Sequence, residues 1–356
     1  MATPRLEGKV LITGASGFIG GRLRSTLLSA GVDVVALRRP GSPSSELGRS
    51  VEAKYSDVAA LARIVSEERP DYILHVAGVT KGSSYADFES GNVMPTRHLI
   101  RAVRQEHPGV KRFVLVSSLA AYGPSASTVP QRESNPPRPI EHYGQSKLEA
   151  ERVVEDESGE VPWTIVRPCA VYGPGDVDHF PLFQSAVFGF TIFYGNRDHR
   201  MSWIYVDECV RGILDAAGHA NTRAKGYFLA NEQILTWGDF QATVSEVIGK
   251  PVREWDLPEP LLWAGAFAGE IASRIDKKPR LLNLQKARLG VQQAWTCSSE
   301  AARRDFGFRT SVDLTEGIRR THAWYQDNDW YQSLDPRELL STRSLRRLVG
   351  HLRRGR

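Results

Sequence analysis

The sequence predicts an α/β protein: a doubly wound parallel sheet with a smaller C-terminal α/β lobe. Two observations carry this expectation. The chain opens on a strand, a glycine-rich turn and a helix in immediate succession. Short apolar runs then alternate with amphipathic, helix-length segments through the first half of the chain. A third observation is size, since 356 residues can bury a large core and still supply a second lobe.

The elements follow in order. Val10, Leu11 and Ile12 form an apolar run that suits a buried parallel strand. Gly14, Gly17 and Gly20 come next at three-residue spacing, and Leu23, Leu27 and Leu28 then share one helical face up to Gly31. Strand, turn and helix in this order cradle a dinucleotide pyrophosphate. The first glycine permits the turn, the second lets the backbone approach phosphate, and the third lets helix pack on strand. Ser16, Phe18 and Ile19 belong to the same turn. Residues 32–37 read as the second strand. At the end of such a strand an acid bonds a ribose 2′-hydroxyl, whereas arginine accommodates a 2′-phosphate. Arg38 and Arg39 stand there, which favours NADP(H), with NAD(H) as the other cofactor open to this fold.

Asp57 precedes a helix over 61–68 and can cap it. Residues 71–78 form the fourth strand and run into a glycine turn, and 110–118 form a fifth that ends in Ser117 and Ser118. After a proline-rich loop comes Y-G-Q-S-K, in which Tyr143 and Lys147 share one helical face. A tyrosine of ordinary pKa, about 10, exchanges protons poorly at neutral pH. A nearby ammonium favours its phenolate, and such a tyrosine can act as acid or base towards a carbonyl or hydroxyl. A serine hydroxyl on a neighbouring strand end can hold the same oxygen.

Composition narrows the class further. With 41% apolar and 24% charged residues the chain is ordinary for a globular protein. No apolar run approaches the roughly 18 residues of a membrane span, and no signal pattern opens the chain. Cys169, Cys209 and Cys297 are the only cysteines, too few and too scattered for a disulfide framework or zinc site, so a cytoplasmic setting and no metal are expected. From Arg337 onward seven arginines face one acid, Glu338, which is +6; the net +5 therefore leaves −1 for the remainder. The basic character belongs to the tail, and no nucleic-acid face is expected. Within that tail Leu345, Leu348, Val349 and Leu352 repeat at helical spacing opposite arginines, the pattern of a peripheral membrane helix and equally of a solvated tail.

T-G-A-S-G-F-I-G, H-V-A-G, S-S-L-A-A-Y-G, Y-G-Q-S-K and R-P-C-A-V-Y-G-P-G-D follow in this order. This succession resembles the extended short-chain dehydrogenases/reductases, the broad NAD-dependent epimerase/dehydratase group, over roughly residues 6–330. The resemblance implies a Rossmann domain within 1–175, a substrate lobe within 176–332 with some interleaving, and a basic tail over 333–356. It implies Ser118, Tyr143 and Lys147 as catalytic residues and Asn92 as their support. Asp57 and Val58 would meet adenine. Val76, Ala77 and Gly78 would line the cofactor, and Ser117, Pro168 and Val171 would lie near the nicotinamide. Thr80, Ser118, Cys169 and Phe180 are the substrate candidates, and a homodimer is implied.

Two departures bear on the substrate. Nucleotide-sugar members carry R-D-[FY]-I-x-V-x-D, but here Met201 and Ser202 replace the Arg-Asp pair and Arg200 sits one residue early. The later R-x-G-D signature is also missing. Arg38, the apolar segment 257–272 and W-T-C-S-S-E-A-A-R-R-D-F-G-F resemble the 3β-hydroxysteroid dehydrogenase and dihydroflavonol reductase branch. The aromatic stretch 178–194 suits a greasy pocket or a lobe core. The expectation is an NAD(P)-dependent oxidoreductase for a steroid-, terpenoid- or flavonoid-like small molecule. A nucleotide-sugar epimerase or dehydratase with retained NAD is the alternative, and an inactive cofactor sensor the third reading.

Overall fold

The structure is a computed structural model and describes residues 6–42, 48–126, 129–194, 196–276 and 284–331. The first half alternates as expected: β1 (Lys9–Thr13), α1 (Phe18–Ser29), β2 (Asp33–Arg38), β3 (Arg49–Glu52), α2 (Val58–Glu68) and β4 (Tyr72–His75). Then come α3 (Tyr85–Phe88), α4 (Met94–Glu106), β5 (Arg112–Val116), α5 (His142–Glu157) and β6 (Trp163–Pro168). The second half holds β7 (Ala170–Tyr172), α6 (Phe180–Val187), β8 (Phe190–Tyr194), β9 (Arg200–Tyr205), α7 (Val206–Gly218) and β10 (Lys225–Leu229). It continues with β11 (Ile234–Thr236), α8 (Trp237–Ile248), β12 (Arg253–Leu257), α9 (Glu259–Asp276) and α10 (Leu284–Gly290). It closes on β13 (Ala294–Trp295), α11 (Glu300–Phe306) and α12 (Leu314–Asp327).

Seven strands form one parallel sheet in the order β10-β6-β5-β4-β1-β2-β3. Its inner strands are buried on both faces, as a doubly covered sheet requires, while the edge strand β3 is polar. On one face Leu23 and Leu27 of α1 and Val210 and Ile213 of α7 close a core over Val10, Ile12 and Val114. On the other, Leu61 of α2, Leu99 of α4 and Val153 of α5 close a second core over Leu11, Val35 and Phe113. The fold is a doubly wound Rossmann sheet. Strand order reverses at β1 and β4, so a crevice opens at their C-terminal ends, where such sheets hold ligands.

A second assembly lies beside that crevice. β9 pairs with β11, β13 and β7, while β8 pairs with β12. Trp203, Phe240, Phe183, Tyr325 and Trp330 fill its aromatic core. The apolar segment 257–272 becomes the start of α9, where Leu262 and Ala266 pack with Ala287 of α10 while Leu261 and Phe267 remain exposed. Among the described residues, no helix is long and apolar enough to cross a membrane. The tail helix expected around 345–352 lies outside the described residues.

Candidate active site and cofactor cradle

The glycine turn is shaped by contact. Gly14 has a φ of 70°, and a Cβ there would sit 2.7 Å from Ala77 N. A Cβ on Gly20 would meet Gly14 O at 2.2 Å, so the helix packs on the turn only through glycine. Gly17 caps α1 without any side-chain acceptor, and no acid occupies the first helical turn. The helix N–H groups and dipole are thus left for an anion. This cradle fits a dinucleotide pyrophosphate.

Behind the turn, Thr13 Oγ1 accepts from Ala77 N (3.0 Å) and lies 2.7 Å from His75 Nδ1. His75 Nε2 lies 3.0 Å from Thr96 Oγ1, which donates to Asn92 O at 2.7 Å. Burial, and then the Lys147 charge, push the His75 pKa down to about 3. A neutral imidazole therefore ties two strand ends to α4. Tyr55, which sequence reasoning missed, adds a hydroxyl bonded to the Thr13 side chain and Gly14 backbone. Its sequence neighbours gave no sign of this reach.

The candidate proton-transfer site is assembled at the start of α5. Glu141 caps that helix with both carboxylate oxygens, accepting from Tyr143 N at 2.6 Å and Gly144 N at 2.5 Å. A Cβ on Gly144 would lie 2.2 Å from Ala120 O, so this glycine brings α5 against the turn that follows Ser118. Ser118 and Tyr143 consequently share a side-chain hydrogen bond. Burial nevertheless pushes the Tyr143 pKa up to about 12, with the Ser118 hydroxyl opposing it. The Tyr143 pKa thus lies above its ordinary value, not below it as the lysine spacing leads one to expect.

Lys147 is buried one turn further along α5. Its Nζ donates to Val116 O at 2.8 Å, and burial pushes its pKa down to about 8 against the pull of Glu151. Asn92 sits in a π-helical turn, Glu89–Val93, just before α4. Its Oδ1 accepts from Val79 N (2.7 Å) and its Nδ2 donates to Val79 O (3.1 Å) and Ser146 Oγ (2.8 Å). Ser146 in turn donates to Tyr143 O at 2.7 Å. The π-turn is what re-aims the asparagine into this loop.

Lys147 carries a stability signature. Its folded pKa lies below its unfolded value, so the protonated amine in its buried seat is destabilising below about pH 8. The unfolded chain binds the extra proton between about pH 8 and its ordinary pKa, so stability rises with pH across that window. Melting curves from pH 7 to 10 should show Lys147→Met losing this upward contribution relative to wild type. Parallel curves would refute it.

The remaining expected residues divide. Ser117 donates its N–H to Val166 O, and its buried Oγ has no hydrogen-bond partner, leaving a polar atom beneath the cleft. Val76 is half-buried and Gly78 exposed at the end of β4, and a Cβ on Gly78 would press Asn92 Oδ1 at 2.8 Å. Pro168 ends β6 and Val171 lies on β7. Thr80 is exposed beside Lys81, whose Nζ bonds Asp178 Oδ1 at 2.8 Å across the mouth of the cleft. Asp178 also raises the Tyr143 pKa, which places this mouth near the phenol.

The structure places Asp57, Val58, Phe180 and Cys169 as follows. Asp57 commits its carboxylate to capping α2, accepting from Ala60 N at 3.0 Å, and Val58 is 42% exposed at the helix start. Phe180 is not at the cleft: it is 1% exposed and rings it within the lobe core with Tyr325 (4.8 Å) and Trp330 (5.0 Å). Much of the aromatic 178–194 stretch is likewise core, with Phe183 and Phe193 buried. Cys169 is only 8% exposed and hydrogen-bonds the Cys297 thiol, near Cys209. Burial pushes the Cys169 and Cys209 pKa values up, so these two are inert thiols, and all three scattered cysteines are free and buried. Among the described residues no cluster of three or more His, Cys, Asp or Glu is placed for a metal.

At the end of β2, Arg38 Nη1 donates to Ser42 O at 2.8 Å, Arg38 Nη2 pairs with Glu52, and Arg39 is exposed. In the lobe, Ser202 is buried with its Oγ accepting from Cys297 N at 3.1 Å, and Arg200 is exposed at the start of β9.

The sequence profile of the NAD dependent epimerase/dehydratase family matches residues 10–229. A ceramide reductase of Caulobacter vibrioides is 30% identical, over 91% of this chain and 96% of its own. The Escherichia coli O157:H7 N-acetyl-α-D-glucosaminyl-diphospho-ditrans,octacis-undecaprenol 4-epimerase is 27% identical, over 89% and 95%. A UDP-glucose 4-epimerase structure from Thermotoga maritima superposes with a TM-score of 0.74 at 22% identity, covering 90% and 99% of the two chains, and thereby shares the fold. Profile, relative and sheet order agree: the chain belongs to the NAD-dependent epimerase/dehydratase family of extended short-chain dehydrogenases/reductases and is an NAD(P)-dependent enzyme of that type.

Proposed function

We propose that this enzyme interconverts a hydroxyl and a carbonyl on a hydrophobic small molecule and prefers NADP(H). The observation that carries the reading is the Ser118–Tyr143 hydrogen bond beside a buried Lys147 held on Val116 O. Bound NAD(P)(H) supplies or accepts the hydride. Tyr143 transfers the proton to or from the substrate oxygen, and Ser118 holds that oxygen in place. Lys147 holds the nicotinamide ribose and, with that ligand bound, favours the phenolate. With its pKa at about 12, Tyr143 is a neutral phenol at pH 7, poised to donate. Reduction should therefore fall with rising pH while oxidation gains. In this reading the cofactor sits on residues 1–175 and the lobe 176–332 covers the substrate.

Two features support a hydrophobic substrate. A diphosphate favours placed guanidinium groups, whereas β9 presents Met201 and a buried Ser202 where sugar-nucleotide members have Arg-Asp. The ceramide reductase similarity covers nearly the whole chain. Similarity to the undecaprenol-linked 4-epimerase favours a second reading, epimerisation with retained NAD.

Titration of nicotinamide fluorescence with NADPH and NADH separates them. NADPH should bind tighter, and Arg38→Asp should reverse the preference by roughly 10- to 100-fold, the worth of a charged hydrogen bond. NAD(H) bound tightly at purification, with no exchange, would overturn the proposal in favour of the epimerase.

A further inference from the structure

The ribose end of the cradle carries an unexpected charge arrangement. β2 and β3 run parallel with Arg38 opposite Glu52, and the backbone closes this corner through Ala53 N to Arg38 O at 3.1 Å. The two side chains meet as an ion pair, with Glu52 44% and Arg38 20% exposed. Arg38 Nη1 is held by Ser42 O, and its buried Nε has no partner. Nearby, Arg24 of α1 is 3% exposed and donates from Nη2 to Gly48 O (3.2 Å) and Arg49 O (3.4 Å); its Nε is also buried without a partner. Burial lowers the Arg24 pKa, and the Arg38 charge adds to that, so the two guanidiniums feel each other. Two guanidiniums with unpartnered buried Nε groups thus stand at this corner, and one of them, Arg38, is paired with Glu52.

We propose that Glu52 is a positioning residue that sets cofactor discrimination, holding Arg38 in an ion pair that a 2′-phosphate must displace and a free 2′-hydroxyl need not. A dianionic phosphate approaching Arg38 meets the Glu52 charge at close range, and that repulsion grows where solvent is partly excluded. A 2′-hydroxyl carries no such charge, and the carboxylate offers it an acceptor. Glu52 therefore narrows the NADP(H) preference that Arg38 creates and keeps NAD(H) usable. The acid is supplied by the third strand, although such an acid is expected at the end of the second. This inference rests on Arg38 being the phosphate-facing residue.

The test is a set of dissociation constants for NADPH and NADH, read by nicotinamide fluorescence on wild type, Glu52→Gln, Glu52→Asp and Arg38→Gln, with melting temperatures as a folding control. Glu52→Gln should tighten NADPH roughly tenfold and leave NADH unchanged or weaker, removing one repulsive charge. Glu52→Asp should return the ratio to the wild-type value. Equal changes in both constants, no change, or weaker NADPH binding by Glu52→Gln would overturn the inference. Arg38→Gln tells the two ideas apart. If it lowers NADPH affinity while Glu52→Gln leaves the ratio fixed, only the Glu52 inference fails. If Arg38→Gln leaves the ratio fixed, the Arg38 reading fails and the inference with it.

Discussion

Tyr143→Phe is expected to lower kcat by about 10²- to 10⁴-fold, the usual worth of a positioned proton donor. The change removes one hydroxyl and keeps a ring that packs against Phe88 at 6.4 Å. Cofactor dissociation constants and melting temperature should stay near wild type, since the phenol's hydrogen bond is made to Ser118 and not to the sheet. Turnover that survives this substitution would remove Tyr143 from the chemistry.

Glu151→Ala should cost about 3–5 kcal/mol of stability, the penalty for leaving one member of a buried ion pair alone. Glu151 is 2% exposed and binds Arg167 through Nε (3.0 Å) and Nη2 (2.9 Å). The Arg167 guanidinium also lies over the Tyr122 ring at 4.7 Å. Denaturant melts would give the loss directly. The double change Glu151→Leu with Arg167→Met should recover most of it, because no charge is then stranded. A single Glu151→Ala variant as stable as wild type would mean that water reaches the pair. The same substitution acts on the site: Glu151 raises the Lys147 pKa, so its removal should shift any Lys147-dependent pH profile downward.

How much of this was legible in the sequence depends on how far each signal travels. The glycine turn is readable because close backbone approach excludes other residues at Gly14 and Gly20. Tyr143 and Lys147 are readable because helical spacing is local, and Glu151 extends the same face by another turn. Tyr55, Glu141 and Glu52 were not read. Tyr55 and Glu52 act through partners fixed by tertiary contact or strand register, which no local pattern marks, whereas the Glu141 cap is local but uses a residue outside the usual N-cap set. Asp57 was ambiguous between adenine and a cap, and the helix began early enough to claim its carboxylate. Phe180 was misplaced because aromatic composition cannot separate a pocket wall from a core. The cysteines looked scattered since their proximity depends on β6, α7 and the segment after β13 coming together.

The position of β10 has a consequence for dissection. It borders β6 in the large sheet although β7, β8 and β9 intervene in sequence. A fragment ending near residue 175 would leave β6 as a bare, apolar outer edge, with Thr164 and Ile165 offering unpaired amide groups to any passing strand. Such an edge invites self-association. Trading the lobe for that of another family member therefore means exchanging chain on both sides of α7 and β10, since β9 before them pairs with β11 and β13 after them, while α7 and β10 stay with the large sheet.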